Sequence, residues 1–218
     1  MIRLSFSVIS VNIAQPRPLA YQSKFISSGI DKKPVQGSMQ LSFTNLDGDG
    51  QADLVHHGGP DKALCAYPQE HYAYWERELD KTLGYGAFGE NLTVAGLVET
   101  DVHIGDIFQW GEAVIQLSQP RQPCFKLSAR HGVPKLPKLL EETGYTGYYF
   151  RVLREGAVSA QEPLQLLERH PMAVSVESAN QVMHKDKRNA DAIRRLLELP
   201  ELSESWQDTL RSRLFALG

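Results

Sequence analysis

Glycine falls almost entirely in the front of this chain: 16 of 17 lie in residues 1–162, and after Pro163 the only one is the terminal Gly218. Because glycine allows tight turns and close backbone approach, the front must turn often and the tail rarely. A length of 218 residues suits one large domain, or a medium domain with a small one attached. Charge divides at the same place, with 15 basic and 18 acidic groups before residue 163 and 8 of each after it. The expected division is a first domain over 1–167, with its motif core in 28–165, and a second over 168–218.

The front reads as short strands separated by Gly, Pro, Asp or Asn. Phe6–Ile13, Met39–Phe43, Ala63–Tyr67, Asn91–Ala95, Gly105–Trp110, Ala113–Ser118, Gly147–Leu153 and Pro163–Leu167 are the candidates, with Gly111-Glu112 as a hairpin turn. So many short strands and turns imply a closed or strongly bent sheet in a mainly β protein with helices, α+β in class. Pro68 can open a helix whose apolar stripe is Tyr72, Trp75 and Leu79; Phe125–His131 and Leu136–Thr143 are two more, stopped by Gly132 and Gly144. In the tail, Ser175 caps a helix through His184, Asn189–Glu198 forms a second and Ser203 caps a third through Leu214. These three would cover one another as a small bundle, whose balanced charge favours packing or partner docking over reading DNA.

Composition disfavours several functions. A net charge of −3 offers no attraction to nucleic acid or to an anionic membrane. No apolar run approaches the roughly 20 residues that cross a bilayer, and no secretory leader is legible at the N-terminus. Cys65 and Cys124 are 59 positions apart, in neither a redox nor a zinc-finger spacing, so a reduced, cytoplasmic protein is expected.

Residues with chemical potential form four patches. Cys124 ends Gln119-Pro120-Arg121-Gln122-Pro123, whose prolines hold the approach extended, and a helix starts just after it. A thiol there, flanked by Arg121 and Lys126, is expected to ionise readily, and the thiolate is the form that attacks electrophiles or binds soft metals. Cys65, between Leu64 and Ala66, reads instead as an inert core cysteine. His56-His57-Gly58-Gly59-Pro60-Asp61-Lys62 joins a proton donor to a glycine pair able to present N–H groups to an anion, and a plain turn with a capping histidine is an equal reading. Phe88-Gly89-Glu90-Asn91-Leu92 offers a carboxylate and an amide to a planar heterocycle such as a pterin, and Ser28–Val35 carries Lys32 and Lys33 as phosphate ligands. Each of these last two, taken alone, is only a turn with solvated charges.

In this order and spacing the four patches, with Gly105-Asp106, resemble the MOSC family, named for the C-terminal domain of molybdenum cofactor sulfurases. The combination of HGGPDKALC, FGENL and QPRQPC carries the resemblance, which covers nearly the whole chain. It is nearest to stand-alone bacterial members of the YiiM type, which have a three-helix C-terminal extension. The resemblance implies a bent β-barrel that binds the molybdenum cofactor, a pyranopterin dithiolene with a terminal phosphate. By the same resemblance Cys124 stands where the family has its metal-ligating cysteine, and Lys32 and Arg121 stand where phosphate and pterin would be held. His57, Gly58 and Gly59 match the family's HGG turn, and Asn91 and Asp106 match its FGENL and GD positions. The implied reaction is reductive: an N-hydroxylated base or amine, such as 6-N-hydroxylaminopurine, loses oxygen to give the amine and water, with His57 or Asp106 delivering protons. No nucleotide-binding or iron–sulfur motif is legible, so a flavin-containing reductase is the implied electron donor.

Two other readings stay open. One is a cofactor-free thiol enzyme with Cys124 as nucleophile, activated by His57 or His131. The other is a non-catalytic carrier of the cofactor or of sulfur. Either a monomer or a homodimer is compatible with the sequence.

Overall fold

The computed structural model describes residues 4–53 and 58–218. Its strands along the chain are β1 (Ser5–Ile13), β2 (Arg17–Tyr21), β3 (Lys24–Ser28), β4 (Lys33–Val35), β5 (Met39–Leu41), β6 (Leu64–Pro68), β7 (Leu92–Ala95), β8 (Ile107–Trp110), β9 (Ala113–Pro120), β10 (Tyr148–Arg154), β11 (Gly156–Val158) and β12 (Leu164–Glu168). The helices are α1 (Tyr72–Leu79), α2 (Phe125–His131), α3 (Leu136–Thr143), α4 (Val176–Asn180), α5 (Ala190–Leu197) and α6 (Glu204–Leu217). Seven strands close a barrel in the order β1-β7-β6-β10-β9-β8-β12, with β12 pairing back to β1. The α+β class and the closed barrel expected above are what the chain adopts.

β1 makes this closure possible because it is long enough to serve three neighbours. Its first residues pair with β12, its middle with β7 and its end, Val11–Ile13, with β4. The register breaks between Val8 and Ser10, and such a bulge bends a strand around a barrel corner. β6 and β7 are parallel, which requires a crossover, and α1 lies in it. β9 and β10 alternate as barrel strands should: Ala113, Ile115 and Leu117 are buried on one, and Tyr148, Phe150 and Val152 on the other.

One continuous apolar cluster includes Phe108, Ile115 and Phe150 of the strands and Val176, Ile193, Trp206 and Leu210 of the tail. A second lies under α1–α3, where Trp75, Phe88, Leu127 and Leu140 meet. Burying each such side chain contributes about 1.5–3 kcal/mol. In the tail, Ser175 caps α4 by accepting from Ser178 N–H, the helix runs on into a π-helical turn over Gln181–Lys185, and Asn189 caps α5 by accepting from Ala192 N–H. α6 is pinned to the barrel at its start, where Ser203 N–H donates to Ser118 O at 3.0 Å and Glu204 N–H to Asp61 Oδ2 at 3.2 Å. Among the described residues no helix is long and apolar enough to cross a membrane.

Candidate functional site

Residues of all four sequence patches line one half-open cleft. It brings Lys32, Lys62, Arg121 and Lys126 around Cys65, Asn91, Cys124 and Tyr149. None of its described lining residues is a carboxylate. A chain of net charge −3 therefore presents a cationic hollow, the field an anionic ligand requires.

One wall of the hollow is made by chain segments that approach more closely than side chains allow. A Cβ on Gly29 would lie 2.3 Å from Gly50 O, and one on Gly50 would lie 2.8 Å from Pro16 Cδ. Beneath them Asp49 is the hub. Its carboxylate pairs with the buried Lys32, accepts from Ala14 N–H at 2.9 Å and accepts from Asn91 Nδ2 at 2.9 Å. Asn91 spends its remaining capacity on Cys65 N–H at 3.1 Å and Asn12 O at 3.3 Å. Lys32 and Asn91 thus line the cleft while belonging to one buried network that joins the loop after β1 to β6 and β7.

Arg121 is buried, its Nη1 donates to Phe88 O at 2.6 Å, and its N–H donates to Gly147 O at 3.0 Å. Burial opposes its charge, but Cys65, Tyr149, Cys124 and Glu90 nearby outweigh that and hold its pKa above the ordinary value. Cys124 is extended, at φ −126° and ψ 166°, and stands at the start of α2 with its thiol partly exposed. Cys65 is buried, and burial pushes its thiol up to about 11. Burial also pulls Lys62 below its ordinary pKa, against the opposing pull of Asp61 and Asp53. Both cysteines border the cleft, but Cys65 is buried while Cys124 is partly exposed, the contrast their sequence settings lead one to expect.

Several assignments move. Asp106 is fully buried elsewhere: its carboxylate accepts from His103 N–H and His170 N–H at 3.0 and 2.9 Å and pairs with Arg169 at 3.0 Å. It ties the strand β8 to the segment entering the tail, so it does not serve the cleft as proton donor or cofactor ligand. Gly105 beside it, at φ +87°, makes room for His170. Glu90 is likewise consumed, accepting from Gly86 N–H, Phe88 N–H and Thr93 Oγ1, each at 2.9 Å, and from Tyr72 OH. It stiffens the FGENL turn and offers nothing to a heterocycle. Gly58 is buried and Gly59, at φ +95°, leads into a 3-10 turn over Pro60–Lys62; neither lines the cleft. His57 lies outside the described residues. His131 sits at the far end of α2, where its Nε2 bonds Ala87 O at 2.9 Å and its ring stacks on Phe88, so it is no activator of Cys124.

Sequence reasoning passed over Lys62 and Tyr149, and treated Lys126 only as a neighbour of the thiol. Tyr149 was discoverable: in a strand whose Tyr148 and Phe150 face the core, the residue between them must face the other way. Lys62 had no such signal, since its place depends on the 3-10 turn that sets it against the end of β9.

The MOSC domain family matches residues 53–165 of this chain, and the YiiM-like 3-alpha helix domain matches residues 174–215. Protein YflK of Bacillus subtilis, an uncharacterized protein, is 52% identical over 202 residues, covering 93% of this chain and 91% of its own. Protein YiiM of Escherichia coli is 43% identical over 189 residues, covering 85% and 84%. A Gibberella moniliformis protein named Reductase is 32% identical over 193 residues, 87% of this chain but 34% of its own length. The crystal structure of YiiM from Geobacillus stearothermophilus shares the fold with a TM-score of 0.83 at 40% identity, covering 96% of this chain and 99% of that one.

Proposed function

The chain belongs to the MOSC family and carries the YiiM-like three-helix domain, and from this we propose that it is a molybdenum-cofactor-dependent oxidoreductase that reduces N-hydroxylated bases or amines. One observation carries the reading: the accessible thiol of Cys124 opens into a cleft lined by four cations and, among its described residues, no carboxylate. The cofactor brings an anionic phosphate, a planar pterin and soft sulfur donors, and this donor set fits it. Lys62, Arg121 and Lys126 would hold the anionic portion, and Cys124 would be the single protein ligand to the metal. Bound there, the cofactor supplies a two-electron centre that accepts an oxygen atom from the substrate.

The chain's own residues do the rest. Arg121 keeps its charge in a buried setting beside Cys124. Lys62 borders the same space, and burial eases release of its Nζ proton, so it takes the proton-holding role that Asp106 cannot. The overall change is R–NHOH plus two electrons and two protons to R–NH₂ plus water. A flavin-containing reductase is the proposed electron source. The reductase name of the Gibberella moniliformis relative agrees in reaction class.

The test is turnover of 6-N-hydroxylaminopurine by cofactor-loaded protein with a chemical reductant as donor. Adenine should form with wild type and Cys65→Ala and not with Cys124→Ala. A loaded protein that binds cofactor and forms no amine from any N-hydroxylated compound is instead a carrier.

A further inference from the structure

A second cleft adjoins Cys124 on the side facing the C-terminal helices, and it has different chemistry. It spans about 1,200 Å³ with its mouth and shares Lys62, Cys124 and Tyr149 with the cationic hollow. Its other walls are Gln119, Gln122, Phe125 and, from α6, Ser205 and Thr209. Among the described residues the first cleft gathers four cations, whereas this one has one cation, Lys62, and one carboxylate, Asp53, and is otherwise amides, hydroxyls, aromatic rings, Pro123 and the Cys124 thiol.

The placement of α6 against this space is fixed from several sides. Ser205 and Thr209 are one turn apart and share a face, next to the strip of Trp206 and Leu210 that is buried in the core. The start of the helix is tied to β9 through Ser118 O and to Asp61, and Arg151 of β10 holds Asp61 at 2.7 and 2.9 Å. Asp61 and Lys62 are neighbours in the same 3-10 turn, so one short turn anchors the tail helix and carries a lysine into both clefts. The exposed Ser205 donates its Oγ–H to Gln119 Oε1 at 3.4 Å, a long bond that a better partner can replace, whereas Gln119 is buried and spends its Nε2 on Pro120 O at 3.0 Å.

We propose that this second cleft is the substrate's recognition site and that it takes an uncharged, planar, purine-sized base, with Ser205 and Thr209 of the tail helix and Gln122 of the barrel bonding its edge. The proposal rests on the function proposed above and adds to it a role for the C-terminal helices. Amides and hydroxyls suit a neutral heterocycle with alternating donors and acceptors, and Phe125 and Tyr149 offer rings to its face. Cys124 lies where the two clefts meet, which puts the reacting atom of the base beside the proposed metal ligand.

The experiment uses the full chain with adenine as probe for the second cleft and inorganic phosphate as probe for the first, each titrated by ligand-observed NMR. Thr209→Trp and, independently, Ser205→Trp should weaken adenine binding about tenfold while leaving phosphate unchanged. Lys126→Ala should do the reverse. In cofactor-loaded protein the two tryptophan variants should raise KM for 6-N-hydroxylaminopurine about tenfold with kcat nearly constant, and leave the small acyclic N-hydroxyurea unaffected. Adenine that fails to bind wild type at millimolar concentration, or that binds both variants as well as wild type, overturns the proposal even if reduction proceeds. Adenine binding that depends on Thr209 in a protein that reduces no N-hydroxylated compound supports the cleft and removes the reaction instead.

Discussion

Replacing Asp49 by alanine probes what holds the cationic cleft together. The substitution removes the acceptor of the buried Lys32 ammonium and of Ala14 N–H, and one of two acceptors of Asn91 Nδ2. Breaking a buried ion pair from one side costs about 3–5 kcal/mol, and an unmatched buried N–H adds about 1–3 kcal/mol. Asn91 keeps its bond to Asn12 O at 3.3 Å and adds little. Lys32 lines the cleft, so water can reach its ammonium, and the lower end of the sum, about 4 kcal/mol, is the expected loss. At about 2–4 °C per kcal/mol for a chain of this size, the thermal midpoint should fall by about 8–16 °C. Circular dichroism at neutral pH without phosphate reads this directly. Inorganic phosphate should then restore more stability to Asp49→Ala than to wild type, because it can accept from the unpaired Lys32, and a ligand at a hundred times its Kd stabilises by about 2.7 kcal/mol. Adding Lys32→Met to Asp49→Ala should recover part of the loss, because no buried charge then stands alone. A midpoint shift below about 3 °C with equal phosphate response in the two proteins would refute the assignment of Asp49 as the hub.

Iodoacetamide at pH 8 should label Cys124 in the native protein within minutes and leave Cys65, buried and pushed up to about 11, unlabelled until denaturant is added; peptide mass mapping reads both. Stability should fall on acidification through the window between about 6.5 and about 4. Burial, with Lys187, Arg213 and Lys185 nearby, pulls His184 down to about 4, so the unfolded chain takes up a proton there that the native chain refuses. Above that window His184 contributes no pH dependence, and His184→Gln should flatten the slope of urea-unfolding free energy within it.

Much of this architecture was legible because glycine and periodicity act locally. α2 and α3 end where predicted, since Gly132 and Gly144 take φ of 71° and 80°, and the barrel strands fall within two residues of their expected bounds. The β2–β3 hairpin escaped notice because its turn has no glycine; Gln22 adopts φ 54° instead. The FGENL motif reads as a pair of ligands for a heterocycle and Asp106 of the GD motif as a proton source, yet Glu90 and Asp106 are occupied by backbone N–H groups. A motif rigidly spaced for structure looks the same in sequence as one spaced for binding, and only the hydrogen bonds distinguish them. Lys62 and the α6 hydroxyls come to line a cleft with Cys124 through contacts between segments far apart in the chain, which no local pattern encodes.

If Cys124 holds the molybdenum cofactor's metal in the cationic cleft, removing its sulfur must cost the protein its molybdenum. Protein purified from cells able to make the cofactor, assayed for molybdenum and for released pterin, tests it most directly. Metal and pterin should appear together in wild type and Cys65→Ala, and the metal should be lost in Cys124→Ala. Equal molybdenum in the Cys124→Ala protein, or none in any of the three, would contradict it.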